Sequence, residues 1–93
     1  MVTAVVLMKV ARQQINEVAR QLVELKGVAE VYSVGGQYDL VAILRVASNE
    51  KLADLITNQV AEMTSIEETE TLIAFQAFSK HDLANIFAIG LEE

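Results

Sequence analysis

Chemistry in this chain would have to come from very few side chains. His81 is the single imidazole and cysteine is absent, which excludes histidine and thiolate metal clusters, disulfides and thiol nucleophiles. Ser79, His81 and Asp82 have the residue types of a hydrolytic triad. They are, however, sequence neighbours at an expected helix start, where serine caps and aspartate answers the helix dipole, and we read them that way. Glu67, Glu68 and Glu70 could ligate a hard cation, but on an edge strand such a charge run is the ordinary solvated face. The string Gly35-Gly36-Gln37-Tyr38-Asp39-Leu40 is different in kind. Glycine N–H groups in a tight turn can approach a small anion closely, and a carboxylate a few residues on can receive an ammonium. Donors beside an acceptor suit an amino-acid zwitterion. The same residues also have a purely architectural use, in which Gly35 and Gly36 make a hairpin and Asp39 bonds the turn backbone. Spacing leaves both uses open. A phosphate loop is excluded, because the longer glycine pattern, the lysine and the following helix are missing.

The elements that must position this string are legible from periodicity. Residues 2–10 (VTAVVLMKV) put Val2, Ala4, Val6, Met8 and Val10 on one face of a strand and Val5 and Leu7 on the other, as a central strand requires. From Arg12 to Lys26, Ile15, Val18, Ala19, Leu22 and Leu25 recur at helical spacing, and Gly27 sits where a helix C-terminal glycine belongs. Val28 to Val34 and Tyr38 to Val46 form a predicted hairpin around the glycine turn, the second of its strands apolar on both faces. Ser48 is a suitable N-cap for a helix striped with Leu52, Leu55, Ile56, Val60 and Met63 and ending near Thr64-Ser65. Ile66 to Phe78 is a fourth strand, polar in its first half. Residues 1–78 thus make one domain, and 79–93, with Leu83, Ile86 and Phe87 on one side, read as a short amphipathic helix or arm.

The order β-α-β-β-α-β predicts an α+β, ferredoxin-like fold of the dimeric α/β-barrel type, a four-stranded antiparallel sheet with two helices on one face. Strands one and three fall in the centre. Glu30, Tyr32 and Ser33 on the second strand, and Glu68 and Glu70 on the fourth, carry the polarity of edges. Both helices cover one face, so the apolar residues on the other face of the central strands would meet water. An identical sheet packed against them in a twofold dimer is the simplest cover.

Composition narrows the function classes. The 93 residues carry 13 acidic and 7 basic side chains, a net charge of −6, so the field repels phosphate backbones and no direct nucleic-acid partner is expected. Aromatics are only 5% and proline is absent, so the interior must be aliphatic. The opening apolar run stops at Lys9, too short for a membrane span and without the basic flank of a signal peptide. The expected compartment is the cytoplasm, with no membrane partner, cofactor or metal.

Gly36-Gln37-Tyr38-Asp39-Leu40 resembles the G-x-(Y/F)-D-(L/Y) hairpin signature of the RAM domain, the effector-binding half of Lrp/AsnC transcriptional regulators. Val28-Ala29-Glu30-Val31 after the helix-ending glycine, and Thr69-Glu70-Thr71 before an apolar run, are similar to that family as well. The resemblance covers residues 1–78. Full-length members carry an N-terminal helix-turn-helix domain that has no room here, so the expected type is a stand-alone RAM protein. It implies dimers joined through their sheets that assemble into octamers or decamers. It also implies an effector amino acid held between dimers, with Gly35, Gly36 and Asp39 on one wall and Thr69 and Thr71 on another, and Tyr38 packing rather than binding. The implied function is an amino-acid-responsive regulatory protein that is not an enzyme, with an Lrp/AsnC-type regulator as a candidate partner. Two alternatives stand beside it: a ligand-free assembly module, and a small cofactor-independent dimeric α/β-barrel enzyme. The aliphatic helix stripes disfavour the enzyme, and the turn and T-x-T features separate the chain from ACT-like domains of the same chain order.

Overall fold

The computed structural model describes residues 1–78 and Lys80. The expected helix or arm over 79–93 therefore lies outside the described residues, apart from Lys80. The elements are β1 (Val2–Val10), a 3₁₀ turn (Arg12–Gln14), α1 (Ile15–Val23), β2 (Val28–Ser33), β3 (Leu40–Val46), α2 (Asn49–Asp54), a π-helical turn (Leu55–Val60) and β4 (Ile66–Ile73). The sheet runs β2-β3-β1-β4, with every neighbouring pair antiparallel. This is the ferredoxin-like arrangement, with β1 and β3 central as their two-sided hydrophobicity demands.

Alternation along β1 and β3 sends Ala4, Val6, Met8 and Val10, and Leu40, Ala42, Leu44 and Val46, toward the helices, where all eight are buried. Val18 and Leu22 of α1, Leu52 of α2 and Leu55 and Val60 of the π turn complete the core. No aromatic side chain is among them. Among the described elements no helix lies on the opposite sheet face. Val5, Leu7, Val41 and Ile43 stand there half-exposed, flanked by Tyr32, Arg45, Lys9 and Leu72.

Several boundaries differ from expectation. The first helix is a 3₁₀ turn followed by α1 ending at Val23, and Gly27 belongs to the turn beyond it rather than to the helix end. At φ +101° a Cβ on Gly27 would stand 2.9 Å from Val46 Cγ1 and 3.2 Å from Leu55 Cδ2, so both conformation and space require glycine. The second helix ends at Val60, short of Thr64-Ser65, because its last turn widens to π spacing, with Ala61 N–H reaching the Ile56 carbonyl. The Thr57 hydroxyl donates to the Ala53 carbonyl at 2.6 Å and competes with the helical ladder there. β2 stops at Ser33 rather than Val34. β4 ends at Ile73, not Phe78: Ile73 pairs with Ala4 and Ala74 still donates to the Thr3 carbonyl, after which the chain parts from β1 although Thr3 and Val2 continue beside β3.

The Ser48 cap is as expected, its hydroxyl accepting from the Lys51 N–H at 3.2 Å. Ser48→Ala should lower unfolding stability by about 1 kcal/mol, read by urea denaturation. An unchanged midpoint would mean that the cap contributes nothing to this helix.

Candidate functional site

β3 starts at Leu40 rather than Tyr38 because Asp39 is used differently from a strand residue. Its backbone N–H donates to the Met8 carbonyl at 2.8 Å, its carbonyl closes the loop by accepting from Val34 N–H at 3.0 Å, and its carboxylate Oδ2 accepts from Val10 N–H at 2.8 Å. The carboxylate thereby satisfies a backbone donor where the β1–β4 register shifts between Lys9 and Val10. Asp39 is half-buried. The architectural use of the residue is therefore real, although the bond goes to β1 and not to the hairpin turn. A carboxylate has capacity for further donors, so the Val10 bond does not exhaust Asp39.

Gly35 and Gly36 lie at the exposed tip of the hairpin, and a Cβ on either would meet nothing within 4 Å. Gly36 has φ +121°, a conformation side-chain-bearing residues avoid. The tip thus presents open backbone to its surroundings.

Tyr38 crosses to the open sheet face. Its hydroxyl donates to Glu70 Oε1 at 2.6 Å, and the Lys9 ammonium lies 5.9 Å from its ring centroid. That hydrogen bond, with some desolvation and the nearby Glu70 and Glu68 charges, holds the Tyr38 phenol pKa above its ordinary value. Glu68 pairs with Lys9 at 3.5 Å. Two of the three glutamates of the polar half-strand thus have partners on the sheet, and among the described residues no group of three acidic, histidine or cysteine side chains converges on a metal position. His81, Ser79 and Asp82 lie outside the described residues.

Thr69 and Thr71 project to the helix side of β4, in register with Met8 and Val6. Thr69 is exposed and Thr71 half-buried. Thr69 also lines an open cleft of about 430 Å³ with Ile56, Val60, Met63 and Ile66 and with Glu67 and Glu68, between the π turn and the start of β4. Asp39 and Thr69 flank β1 at the level of Met8 from opposite sides. Two strand spacings separate them, roughly 10 Å. The structure brings the two loop glycines together with Asp39, and the two threonines together with each other, but does not join the two groups within one subunit. Sequence reasoning missed the Tyr38–Lys9–Glu70 cluster and the cleft beside Thr69. Lys9, Glu68 and Glu70 share a face only through the β1–β4 register, which no local spacing reports.

A family model described as the Lrp/AsnC ligand binding domain matches residues 3–84. The transcriptional regulator FL11 of Pyrococcus furiosus is 32% identical over 75 residues, 81% of this chain and 49% of that protein. The chain thus spans about half the length of that curated relative, and 40% of another, an uncharacterized regulator of the same organism. Among solved structures, TTHA0845 of Thermus thermophilus superposes with a TM-score of 0.81 at 41% identity, covering 86% of this chain and 100% of that one. A feast or famine regulatory protein of M. tuberculosis, complexed with L-methionine, gives 0.72 at 25% identity, covering 86% of this chain and 54% of that one. Among the described residues no helix is long and apolar enough to cross a membrane.

Proposed function

Because this chain belongs to the Lrp/AsnC ligand-binding domain family, we propose that it is an effector-binding regulatory protein that takes a free amino acid and works as a homo-oligomer. The observation that carries this is the division of the site. The loop acid and the strand threonines stand roughly 10 Å apart with β1 between them. β1 lies between them in the sheet, so the two walls that the family resemblance implies do not meet within one subunit. The site therefore takes Gly35, Gly36 and Asp39 from one subunit and Thr69 and Thr71 from a neighbour. Asp39 receives the ammonium and the glycine N–H groups the carboxylate. The apolar wall of the cleft beside Thr69, made by Ile56, Val60, Met63 and Ile66, suits an aliphatic or thioether side chain, in keeping with the L-methionine held by the M. tuberculosis relative.

The half-exposed Val5, Leu7, Val41 and Ile43 support a dimer joined through the open sheet faces, with further assembly bringing loop and threonines of different subunits together. Binding, not catalysis, is the proposed activity. An enzyme of this chain order works between helices and sheet, and among the described residues no polar or charged side chain is buried there. One observation favours a ligand-free assembly module instead, namely that Asp39 already serves Val10.

A thermal-shift screen of the twenty amino acids, with mass measured in solution, tests the proposal. Aliphatic amino acids and methionine are expected to raise Tm, by about 2.7 kcal/mol of stabilisation at a hundred times Kd. A flat screen on a particle of several subunits would establish the assembly module. The chain by itself is expected not to bind duplex DNA, given its charge of −6, and to signal through co-assembly with a DNA-binding regulator of its family. Saturable, salt-sensitive anisotropy changes with labelled duplex would contradict this.

A further inference from the structure

The described part of this chain keeps both of its phenylalanines out of its own core. None of the buried core residues is aromatic, while Phe75 and Phe78 are 97% and 87% exposed. Both follow β4 directly. The bond from Ala74 N–H to the Thr3 carbonyl, at 2.9 Å, delivers the chain to the end of the sheet. From there Ala74–Phe78 (AFQAF) runs on without a single charged side chain. Two phenylalanines left in water forgo the burial of about 150–250 Å² each.

What lies beside them indicates what covers them. Phe75 shares a notch of about 390 Å³ with Thr3 and Arg45. Thr3 and Arg45 are cross-strand partners on the open sheet face, in line with Val5 and Ile43. The uncharged segment therefore borders the apolar surface assigned above to a second copy.

We propose that Ala74–Phe78 is an arm that folds over the margin of the sheet of a second copy of this chain, burying Phe75 and Phe78 between the two subunits. This rests on the sheet-to-sheet dimer. A twofold axis gives each subunit one arm to donate and one margin to receive, so the contact closes with no arm left over. Four phenylalanines contribute on the order of 600–1,000 Å², about half of a standard interface. A second copy already presents an aliphatic face next to its own arm, which an unrelated protein would have to match.

The chain has no tryptophan, so Phe75→Trp and Phe78→Trp each carry a sole reporter. Their emission is expected to be that of buried indole at concentrations where sedimentation shows dimers or larger particles, and to move to that of exposed indole on dilution, in step with mass. Phe75→Ala/Phe78→Ala is expected to raise the dimer dissociation constant on the order of 100-fold with unchanged far-UV circular dichroism. Emission that stays water-exposed in fully associated protein overturns the arm. Val5→Glu tells the two ideas apart. If it dissociates the protein while the double alanine variant associates normally, the sheet dimer stands and the arm falls. If it leaves the mass unchanged, the sheet dimer falls and the arm with it.

Discussion

Asp39→Asn is expected to leave the fold and the assembly intact and to weaken amino-acid binding by about tenfold to a hundredfold, the equivalent of roughly 1.5–3 kcal/mol for a lost charge-assisted contact. Asparagine retains an oxygen that can accept the Val10 N–H, now bonded to Oδ2 at 2.8 Å, and gives up only the charge that an ammonium would meet. Asp39→Ala removes both. It leaves a half-buried backbone donor without a partner and should cost about 1–3 kcal/mol of stability besides the affinity. The pair of variants separates the two uses of one carboxylate. Calorimetry with the amino acid that stabilises the wild type most is the measurement, supported by urea denaturation of each variant. Wild-type affinity in Asp39→Asn would establish that the loop acid is architectural only. Thr71→Val, which deletes a hydroxyl at nearly constant volume, makes the same test on the opposite wall.

Val5→Glu is expected to convert the assembly to 10.2 kDa monomers at tens of micromolar with its helical and strand content retained. In the sheet Val5 stands between Ile43 on β3 and Leu72 on β4, at the centre of the open face and away from the helix-side core. A carboxylate there costs an isolated subunit little. Between two packed sheets it would be an uncompensated buried charge, and a twofold interface repeats it in the partner. The penalty is about 3–5 kcal/mol, hundreds- to thousands-fold in association. Sedimentation equilibrium reads the result directly. A variant that keeps the wild-type mass would place the association surface elsewhere and remove the basis for a site shared between subunits.

Much of the fold was legible because two periodicities are strong and local. The two-sided hydrophobicity of residues 2–10 and 40–46 marked them as central, and the spacing of Val18 and Leu22 marked a helix face. Ser48 announced a helix start by its side chain alone. Element ends were less legible, since each is decided by what lies alongside. β4 parts from β1 after the Ala4–Ile73 pair, short of the end of β1 at Val2, and β3 begins two residues late because Asp39 turns its carboxylate to Val10. The π turn depends on Thr57 bonding backward to Ala53 and on how Leu55 and Val60 reach the core, neither of which is a matter of spacing.

The candidate site divides along the same line. By itself the amino-acid sequence determined the chain order, the aliphatic character of both sheet faces, the glycine hairpin with its acid and the T-x-T strand, because each is a local pattern of residue types. Only the tertiary structure decided that Asp39 and Thr69 flank one strand at one level, that Tyr38 reaches Glu70 past Lys9, and that Phe75 and Phe78 lie outside the core. Those facts depend on the pairing register of residues some 30 to 60 positions apart, as in Met8 with Leu40 and with Thr69. Register is fixed by the packing of a whole sheet against its helices and not by any segment within it.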